Sequence, residues 1–585
     1  MCGISGIFKY TQITEEEISK LHLINSQMRY RGPDDSDVWN TNKVALAQVR
    51  LSIIGLENGH QPIFNETKSI ALICNGEIYN YKELKDELIK KGHVFYTETD
   101  SEVILHLYEE KDVDCLNDLR GMFAFAIYDI NKEQLFIARD KVGKKPLYYS
   151  EIPCGLVFSS ELKAIKNNFL SNPELDEKII KNTMRYSYSV EISNTYIKQI
   201  KRIEPGEYVI INNNGFKKSK YWKKLNSYNF DGSYQEAKNK TLEILTESVQ
   251  LRLRSDVPIA ILLSGGIDSS AIACLARETN DNIHAITVGY EGVHDCDERE
   301  IAKQLCKEKN ITWHNLELNQ KDYKNYFDEY VSYLDEPVCD VAAIAQWGIY
   351  KKAKEEGFTV LLCGNGGDEI FYGYPAHNQT AENIQFIEDA KNFLWQRRKL
   401  SKWVKYFWRN KTKLKSFIET YNPYYFDNLF IKDMREFSYN WSDNNDLSGF
   451  CFEKFLNSEK YAIDAVYSYL FNIWLINNCY FLSDKLGMAH SLELRAPFAD
   501  SKLIDFVSSL PMNYRYKEGH PKYFLKEILN EVVPDYILWG NKKGFTPPYE
   551  IINELIKNYN NKYFDVKLNS YNQILIDKFL SLNLK

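Results

Sequence analysis

Short strand-like segments separated by turns fill the first part of the chain. Segments of mostly apolar residues span 122–128 and 134–138, and the polar run 212–215 (NNNG) predicts a tight hairpin turn between two further strands. Many short strands linked by turns are typical of a sandwich of sheets. The pattern therefore predicts an N-terminal sheet domain that ends within the polar stretch 210–235.

After residue 235 the pattern changes to apolar strands that alternate with helical segments. Strands are predicted at 257–263, 283–288, 311–318 and 358–362, and helices at 235–253, 298–309 and 342–355. This alternation predicts a parallel sheet with helices on both faces. Because ligands of such sheets bind at the carboxyl ends of the strands, the segments that follow these strands are candidate site residues.

Size and composition narrow the class of protein. A chain of 585 residues is long enough for two or more domains. With 44% hydrophobic residues and a net charge of −7, the chain is globular in composition and a poor candidate for general nucleic-acid binding. The 11 cysteines form no CxxC pair, and no apolar run is long enough for a membrane span. We expect a cytoplasmic protein without nucleic-acid or membrane partners.

A glycine-rich turn, SGGIDSS at 264–270, follows the first strand of the C-terminal half and precedes a helix. Its glycines let backbone N–H groups face an anion, and the helix N-terminus adds partial positive charge. Asp268 would repel a bare phosphate, and a metal ion between carboxylate and phosphate removes that conflict. The turn lacks the lysine of a Walker loop. The alternative is a serine-rich turn without a ligand.

A second glycine-rich acidic turn, 363–371, follows the strand at 358–362. Asp368 is the natural partner of Asp268 for Mg²⁺ on a pyrophosphate, because two carboxylates on separate strand ends suit an ion that bridges phosphates. The alternative is a turn with an exposed aspartate.

Cys2 directly follows Met1, and removal of Met1 would leave Cys2 with a free α-amine. Such an amine, with a pKa of about 8, can act as a base for its own thiol. The alternative is an ordinary buried cysteine.

Three later segments offer groups that suit an amino-acid substrate. Arg50, ahead of an expected apolar strand at 51–54, suits bidentate capture of a carboxylate. The amide of Asn75 and the N–H of Gly76, at the end of the apolar run 70–74, form a candidate oxyanion hole. Asp100 offers a carboxylate for an amino group.

Together these segments resemble the class II glutamine amidotransferase domain, an N-terminal-nucleophile (Ntn) hydrolase. The resemblance implies an α+β four-layer sandwich over residues 1–220, in which Cys2 attacks the glutamine amide and Asn75 and Gly76 hold the oxyanion. It implies that Arg50 binds the substrate carboxylate. The implied glutamine-binding residues are Arg50, Leu51, Ser52, Ile53, Ile54, Asn75, Gly76, Glu77 and Asp100.

The C-terminal half resembles the glutamine-dependent asparagine synthetases. SGGIDSS looks like the pyrophosphatase loop of adenylating amidotransferases, and signature-like segments stand at 139–149, 158–164, 484–498, 522–525 and 542–545. The resemblance implies an α/β ATP-pyrophosphatase-like domain with added helices over 221–585, with ATP and Mg²⁺ as cofactors. The implied ATP-binding residues are Leu262, Ser264, Gly265, Gly266, Asp268, Ser269, Ser270, Val288, Cys363, Gly364, Asp368, Lys522 and Lys542, and the implied metal ligands are Asp268 and Asp368.

Some positions stay open at this stage. Surface lysine is the alternative for Lys522 and for Lys542. Glu493 and Arg495, two residues apart, either pair with each other or face a substrate. The mixed basic and aromatic segment 395–411 predicts a helix that covers the core, and a membrane or nucleic-acid contact is the alternative.

Asn365 departs from the family pattern. Relatives usually carry an acid at this position in the adenylate and ammonia site, and an asparagine cannot act as a general base. Either another group takes over, or the acceptor differs, or the activity is weakened.

The expected function is that of a glutamine-hydrolysing asparagine synthetase, which converts aspartate, ATP and glutamine to asparagine, AMP, pyrophosphate and glutamate. One alternative is amidation of another carboxylate, such as a uronic acid in surface-polysaccharide synthesis. Another is a catalytically weakened regulatory or binding homologue. A homodimer is a candidate assembly.

Overall fold

The N-terminal half is built on two antiparallel six-stranded sheets. The computed structural model describes residues 2–292, 294, 297–385, 458–540, 547–560, 562–563, 568 and 570–584. The first sheet has the order β10 (Lys201–Arg202), β8 (Tyr148–Ile152), β9 (Gly155–Ser159), β1 (Gly3–Lys9), β3 (Val44–Arg50) and β2 (Asp35–Asn40). The second has the order β12 (Gly215–Lys220), β11 (Glu207–Asn212), β7 (Gln134–Arg139), β6 (Gly121–Asp129), β5 (Ile70–Ile78) and β4 (Ile63–Phe64).

Apolar side chains from both sheets meet in one buried cluster, in which Ile4 and Leu46 of the first sheet pack with Ile73 and Ile137 of the second. Helices cover the outer faces. On the first sheet these helices are α1 (Glu15–Gln27) and α4 (Leu162–Phe169). On the second sheet they are α2 (Tyr81–Lys90) and α3 (Glu102–Lys111), with the short helix Asp112–Asn117. A further helix, α5 (Glu177–Tyr186), packs in a buried cluster that includes residues of the C-terminal half. The predicted four-layer sandwich is confirmed.

The C-terminal half is built on one parallel sheet of five strands. Its order is β15 (Thr312–Leu318), β14 (His284–Tyr290), β13 (Ile259–Leu262), β16 (Val360–Leu362) and β17 (Glu493–Arg495). The helices that alternate with the strands are α6 (Tyr234–Arg252), α7 (Ile267–Thr279), α8 (Arg299–Lys309), α9 (Gln320–Tyr333), α10 (Ala342–Glu355) and α11 (Gly367–Ile370). The predicted parallel α/β sheet is confirmed, and α6 begins at a capping box formed by Ser233 and Glu236.

Further helices lie between β16 and β17 and after β17. They are α12 (Ala462–Tyr469), a π-helical segment (Leu470–Tyr480), α13 (Phe481–Ala489), a short 3₁₀ helix (Pro497–Ala499), α14 (Ser501–Ser509), α15 (Met512–Arg515), α16 (Tyr523–Ile528), α17 (Asp535–Leu538), α18 (Tyr549–Lys557) and α19 (Tyr571–Asn583). Residues 375–385 are helical as well. Within the ranges given above, no helix is long and apolar enough to cross a membrane. The segment 395–411 lies outside the described residues.

The two halves share buried apolar clusters. Leu51 and Ile53 of the N-terminal half pack in the same cluster as Ile261 of β13 and Phe498. The carbonyl of Ile53 also accepts the backbone N–H of Asp256 at 3.0 Å, just before β13. The loop after β3 is therefore part of the contact between the halves. The predicted boundary between 220 and 221 stays a prediction.

Candidate functional site

Cys2 lies directly before β1 of the first sheet and contacts Asn75 on β5 of the second sheet. Its backbone N–H donates to Oδ1 of Asn75 at 3.1 Å, and its carbonyl accepts Nε of Arg31 at 3.2 Å. Burial raises the pKa of the Cys2 thiol. The thiol is therefore held in place on both sides of its backbone and is protonated at neutral pH in the absence of a base.

Asn75 is fully buried in the interior of β5. Its Nδ2 makes a long contact to Oγ of Ser160 at 3.4 Å. A side chain at Gly76 would bring its Cβ within 2.2 Å of the carbonyl oxygen of Met122, so only glycine allows β6 to approach this closely. We expected these two residues at a strand end, which was wrong, because the strand continues to Ile78.

Arg50 ends β3, and its guanidinium organises the loop that follows. Its NH2 group donates to the carbonyls of Ile54 at 3.1 Å and Gly55 at 2.7 Å. The N–H of Ser52 donates to a carboxylate oxygen of Asp34 at 2.7 Å. The prediction of an apolar strand at 51–54 was wrong. The strand β3 ends at Arg50, and residues 51–54 form a loop around the guanidinium.

Glu77 and Asp100 are two buried carboxyl groups on the same side of β5. Oδ2 of Asp100 accepts the N–H of Ile78 at 2.5 Å. Burial raises the pKa of Asp100 to about 6. Burial, and then repulsion from Asp100, also raises the pKa of Glu77. Such a pair of carboxyl groups favours a cationic ligand group, because a positive charge relieves their repulsion.

Arg495 on β17 reaches from the C-terminal half into this pair. Its NH2 lies 3.3 Å from Oε2 of Glu77, and its Nε lies 2.6 Å from Oε1 of Glu493. Its NH1 donates to the carbonyls of Arg252 at 2.8 Å and Arg254 at 2.6 Å. Glu493 and Arg495 therefore pair with each other, and Arg495 joins the two halves. The spacing of Glu493 and Arg495 predicted their pairing as one of two alternatives. No sequence pattern predicted the contact between Arg495 and Glu77.

A second buried set of charges lies between the halves. Arg31 contacts Glu161 at 3.0 Å and Asp484 at 2.8 Å, and Lys485 contacts Glu161 at 2.6 Å and Asp335 at 3.0 Å. All five side chains are almost fully buried. Because a buried charge that loses its partner is costly, this set fixes the relative position of the signature segments 158–164 and 484–498. No contact between these two segments was predicted from the sequence.

The SGGIDSS turn joins the end of β13 to the start of α7. Oγ of Ser269 accepts the N–H of Ser264 at 3.2 Å, and Oγ of Ser264 accepts the N–H of Gly266 at 3.3 Å. Gly265 has a φ of +80°, which favours glycine. The seryl groups thus close the turn on itself, and Ser270 is buried one turn into the helix.

Three strand ends bring the predicted nucleotide residues to one edge. In the parallel register Leu262 on β13 lies opposite Ile286 on β14, and Ile261 lies opposite Leu362 on β16. Val288 lies two residues further along β14, and Cys363 and Gly364 follow β16 directly. The structure brings these residues together at the carboxyl edge of the sheet, as predicted.

Asp268 and Asp368 meet on the ammonium group of Lys522. Nζ of Lys522 contacts the carboxylate of Asp268 and lies 2.8 Å from Oδ1 of Asp368. Burial lowers the pKa of Lys522, but the two carboxylates outweigh it and raise the net pKa. The donor set fits a magnesium ion, because two carboxylates from separate turns converge on one point and Mg²⁺ is commonly held in proteins by one or two carboxylates together with substrate phosphates.

Gly373 allows this approach, and sequence reasoning missed it. A Cβ at Gly373 would lie 1.9 Å from Oδ1 of Asp368 and 2.4 Å from Cε of Lys522. Nothing in the motif pattern marks this position, because the requirement comes from residues distant in sequence.

Asn365 lies half-buried between Gly364 and Gly366, in the turn that leads into α11. Glu369, four residues on, is buried, and the hydroxyl of Tyr374 donates to its Oε1 at 2.7 Å. Burial raises the pKa of Glu369 to about 7. Lys542 lies outside the described residues.

Two family models and several relatives match the chain. Residues 1–222 match the glutamine amidotransferase domain, and residues 240–578 match asparagine synthase. Glutamine-hydrolysing asparagine synthetase 1 of Bacillus subtilis is 31% identical over 572 residues, with 96% of this chain and 89% of the relative covered. Glutamine-hydrolysing asparagine synthetase 3 of Bacillus subtilis is 29% identical over 569 residues, with 93% and 87% covered. Amidase chry2 of Gibberella zeae is 26% identical over 612 residues, with 94% and 89% covered.

Proposed function

The chain belongs to the asparagine synthase family, and from this premise we propose that it makes asparagine from aspartate, ATP and glutamine. The N-terminal half hydrolyses glutamine, and the C-terminal half forms the β-aspartyl-adenylate. The observation that carries the first half-reaction is the 3.1 Å contact between the Cys2 nitrogen and Asn75 Oδ1, which fixes the nucleophile beside an amide.

Glutamine hydrolysis begins with attack of the Cys2 sulfur on the side-chain amide carbon. After Met1 has been removed, the α-amine of Cys2 takes the thiol proton and later passes it to the leaving ammonia. Nδ2 of Asn75 and the N–H of Gly76 hold the oxyanion. The thioester that forms is hydrolysed by water to glutamate. Loss of one oxyanion donor costs about 10²–10³-fold in kcat in comparable sites.

Substrate glutamine is held at its other end. Arg50 binds the α-carboxylate, because its guanidinium is already fixed by the carbonyls of Ile54 and Gly55. Glu77 and Asp100 bind the α-ammonium, whose positive charge relieves the repulsion between them. The loop that covers the bound glutamine is formed by Leu51, Ser52 and Ile53.

In the second half-reaction the aspartate β-carboxylate attacks the α-phosphorus of ATP, and pyrophosphate leaves. Backbone N–H groups of the SGGIDSS turn and the start of α7 bind the departing phosphates. Asp268 and Asp368 would hold Mg²⁺, which supplies charge neutralisation to the pyrophosphate. Lys522, which lies between these carboxylates, adds a further positive charge at the same place.

Ammonia then displaces AMP from the adenylate. Free ammonia is protonated in water, so the transfer requires an enclosed route. A cavity lies between the halves, and its lining includes Lys144, Tyr148, Tyr480 and Asp484.

A pair of substitutions separates the two half-reactions. Cys2→Ala is expected to abolish glutamate release from glutamine and to leave ammonium-dependent synthesis intact. Asp268→Asn is expected to suppress AMP and pyrophosphate formation and to leave basal glutamine hydrolysis intact. Glutamine hydrolysis by purified Cys2→Ala, or ADP and phosphate as products, would contradict the assignment.

Asn365 favours a second candidate, in which the acceptor is a carboxylate other than aspartate. Acceptor-dependent pyrophosphate release across a panel that includes aspartate, glutamate and uronic acids decides between them. Release with aspartate alone supports asparagine synthesis, and release with another carboxylate alone identifies the second candidate. Release with no carboxylate while ATP still binds would indicate a weakened homologue.

A further inference from the structure

Four side chains with metal-binding atoms converge on the outer side of the N-terminal sandwich, away from Cys2. They are Glu66, in the turn after β4, His93, in the loop after α2, and His106 and Glu109, one turn apart on α3. One ligand atom of each lies within 4.8 Å of all the others. Three separate elements thus supply two imidazoles and two carboxylates to one point.

In both histidines, Nδ1 is the ring nitrogen that faces the carboxylate of Glu109. Nδ1 of His106 lies 2.9 Å from Oε2 of Glu109, and Nδ1 of His93 lies 3.6 Å from the same oxygen. The two imidazole rings lie 4.8 Å apart. The side chain of His106 is fully buried, whereas that of His93 is 13% exposed, so the cluster is open to solvent on one side.

Further polar groups lie behind three of the four ligands. Nε2 of His93 lies 3.1 Å from Oε1 of Glu110, and Nε2 of His106 lies 3.6 Å from Oε1 of Glu102. Oε1 of Glu109 accepts Nδ2 of Asn65 at 2.8 Å. A carboxylate behind each imidazole is the arrangement found around metal-bound histidines, where it orients the ring and raises its basicity.

We propose that Glu66, His93, His106 and Glu109 form a zinc site. Two imidazole nitrogens and two carboxylate oxygens suit a four-coordinate Zn²⁺ ion. Four protein ligands fill a tetrahedral shell and leave no position for water, which indicates a structural rather than a catalytic site. Tetrahedral zinc places its ligands about 3.3 Å apart, so the side chains draw together by up to about 1.5 Å on binding.

Without a metal the same carboxylates favour a proton. Nδ1 of His106 and Oε2 of Glu109 lie 2.9 Å apart and form a hydrogen bond, so a proton lies between them. A zinc ion takes the place of that proton, because metal-bound histidine is neutral.

Binding at this site has a consequence for the loop that carries Asp100. Glu102, behind His106, also accepts the N–H groups of Tyr96 at 2.8 Å and Thr97 at 2.7 Å. Zinc that fixes His93 and His106 therefore fixes the segment from 93 to 100 at both ends. This expected effect of zinc on the segment from 93 to 100 does not depend on the reaction proposed at Cys2.

The test uses full-length protein freed of metal by a chelator and titrated with ZnCl₂ against a competing indicator. A Cys2→Ala background removes the thiol as a competing ligand. We expect one zinc ion per chain, and at least a 100-fold loss of affinity in His93→Ala and in Glu109→Gln. Glu102→Gln, which alters only the carboxylate behind His106, is expected to lose about 10–100-fold. His60→Ala is the matched control, because His60 is likewise a histidine beside two carboxylates, Asp35 and Asp37.

Circular dichroism shows whether each variant folds. His93→Ala is expected to fold, because His93 lies in a partly exposed loop, so a loss of zinc affinity in this variant reports the missing ligand. Zinc is also expected to slow amide hydrogen exchange at Tyr96 and Thr97 in the parent protein and not in His93→Ala. Unchanged zinc stoichiometry and affinity in His93→Ala and Glu109→Gln would overturn the proposal, as would equal loss in His60→Ala.

Discussion

At the scale of single residues, the chemistry proposed for the N-terminal half depends on where protons sit around Cys2. Its thiol is buried and has a raised pKa, so it needs a base. The nearest candidate is its own nitrogen, which already faces Oδ1 of Asn75. The sequence could indicate Cys2, Arg50 and Asn75 because their chemical types are distinctive. It could not indicate Ser160, whose contact with Asn75 arises only when the two sheets pack together.

The raised pKa of Asp100 predicts a pH dependence. With a pKa of about 6, this carboxyl is charged above that pH and neutral below it. Binding of the glutamine α-ammonium requires the charged form, so kcat/KM for glutamine hydrolysis is expected to fall below pH 6 by about tenfold per pH unit. Glutamate release measured across this range checks it. The Asp100→Asn variant serves as control, and a profile with the same inflection in that variant would rule out Asp100 as its source.

Asn365 predicts the effect of restoring an acid. An amide can orient a nucleophile but cannot take its proton near neutral pH. If aspartate is the acceptor, Asn365→Glu is expected to accelerate asparagine formation, since a general base contributes about 10²–10⁴-fold. Asparagine formed from ammonium, ATP and aspartate is the measurement. Fast synthesis by the native protein that Asn365→Glu leaves unchanged or slows would show that this position does not limit the rate.

At the scale of elements, period and composition predicted four of the five strands of the C-terminal sheet and missed β17, which has only three residues. The helix predicted at 342–355 has the same bounds in the structure, and the strand predicted at 311–318 begins one residue later. The strand predicted at 51–54 failed for a physical reason. Its apolar residues serve the contact between the halves, and the carbonyls of Ile54 and Gly55 bind Arg50 rather than a neighbouring strand.

The lack of a side chain at Gly373 leaves room for Asp368 and Lys522 in the proposed ATP site, so a side chain added there is expected to impair that site. A methyl group there would lie 1.9 Å from Oδ1 of Asp368, so Gly373→Ala must displace Asp368 or Lys522. We expect aspartate-dependent pyrophosphate release to fall at least about tenfold, the effect of 1.4 kcal/mol on the barrier. Glutamine hydrolysis by the same variant is the internal control. Normal pyrophosphate release would mean that the turn at 372–374 adapts without moving the carboxylate.

At the scale of the whole molecule, the two half-sites are joined by buried charges rather than by a linker alone. Arg495 links Glu77 to the edge of the C-terminal sheet, and Arg31 links the Cys2 carbonyl to Asp484. The contacts of Arg495 with Glu77 and of Arg31 with Asp484 join residues hundreds of positions apart, which no local pattern can predict. They place the N-terminal nucleophile and the adenylating half in one continuous body, as a transfer of ammonia between them requires.

The most direct test of that transfer follows the amide nitrogen itself. The protein is incubated with ATP, Mg²⁺, aspartate and glutamine labelled with ¹⁵N in its amide, together with unlabelled ammonium, and the products are analysed by mass spectrometry. We expect asparagine that carries the ¹⁵N label, with AMP and pyrophosphate formed in equal amounts and at least one glutamate formed for each labelled asparagine. Asparagine without the label would contradict direct transfer between the halves, and formation of glutamate without any amidated acceptor would contradict the proposed reaction.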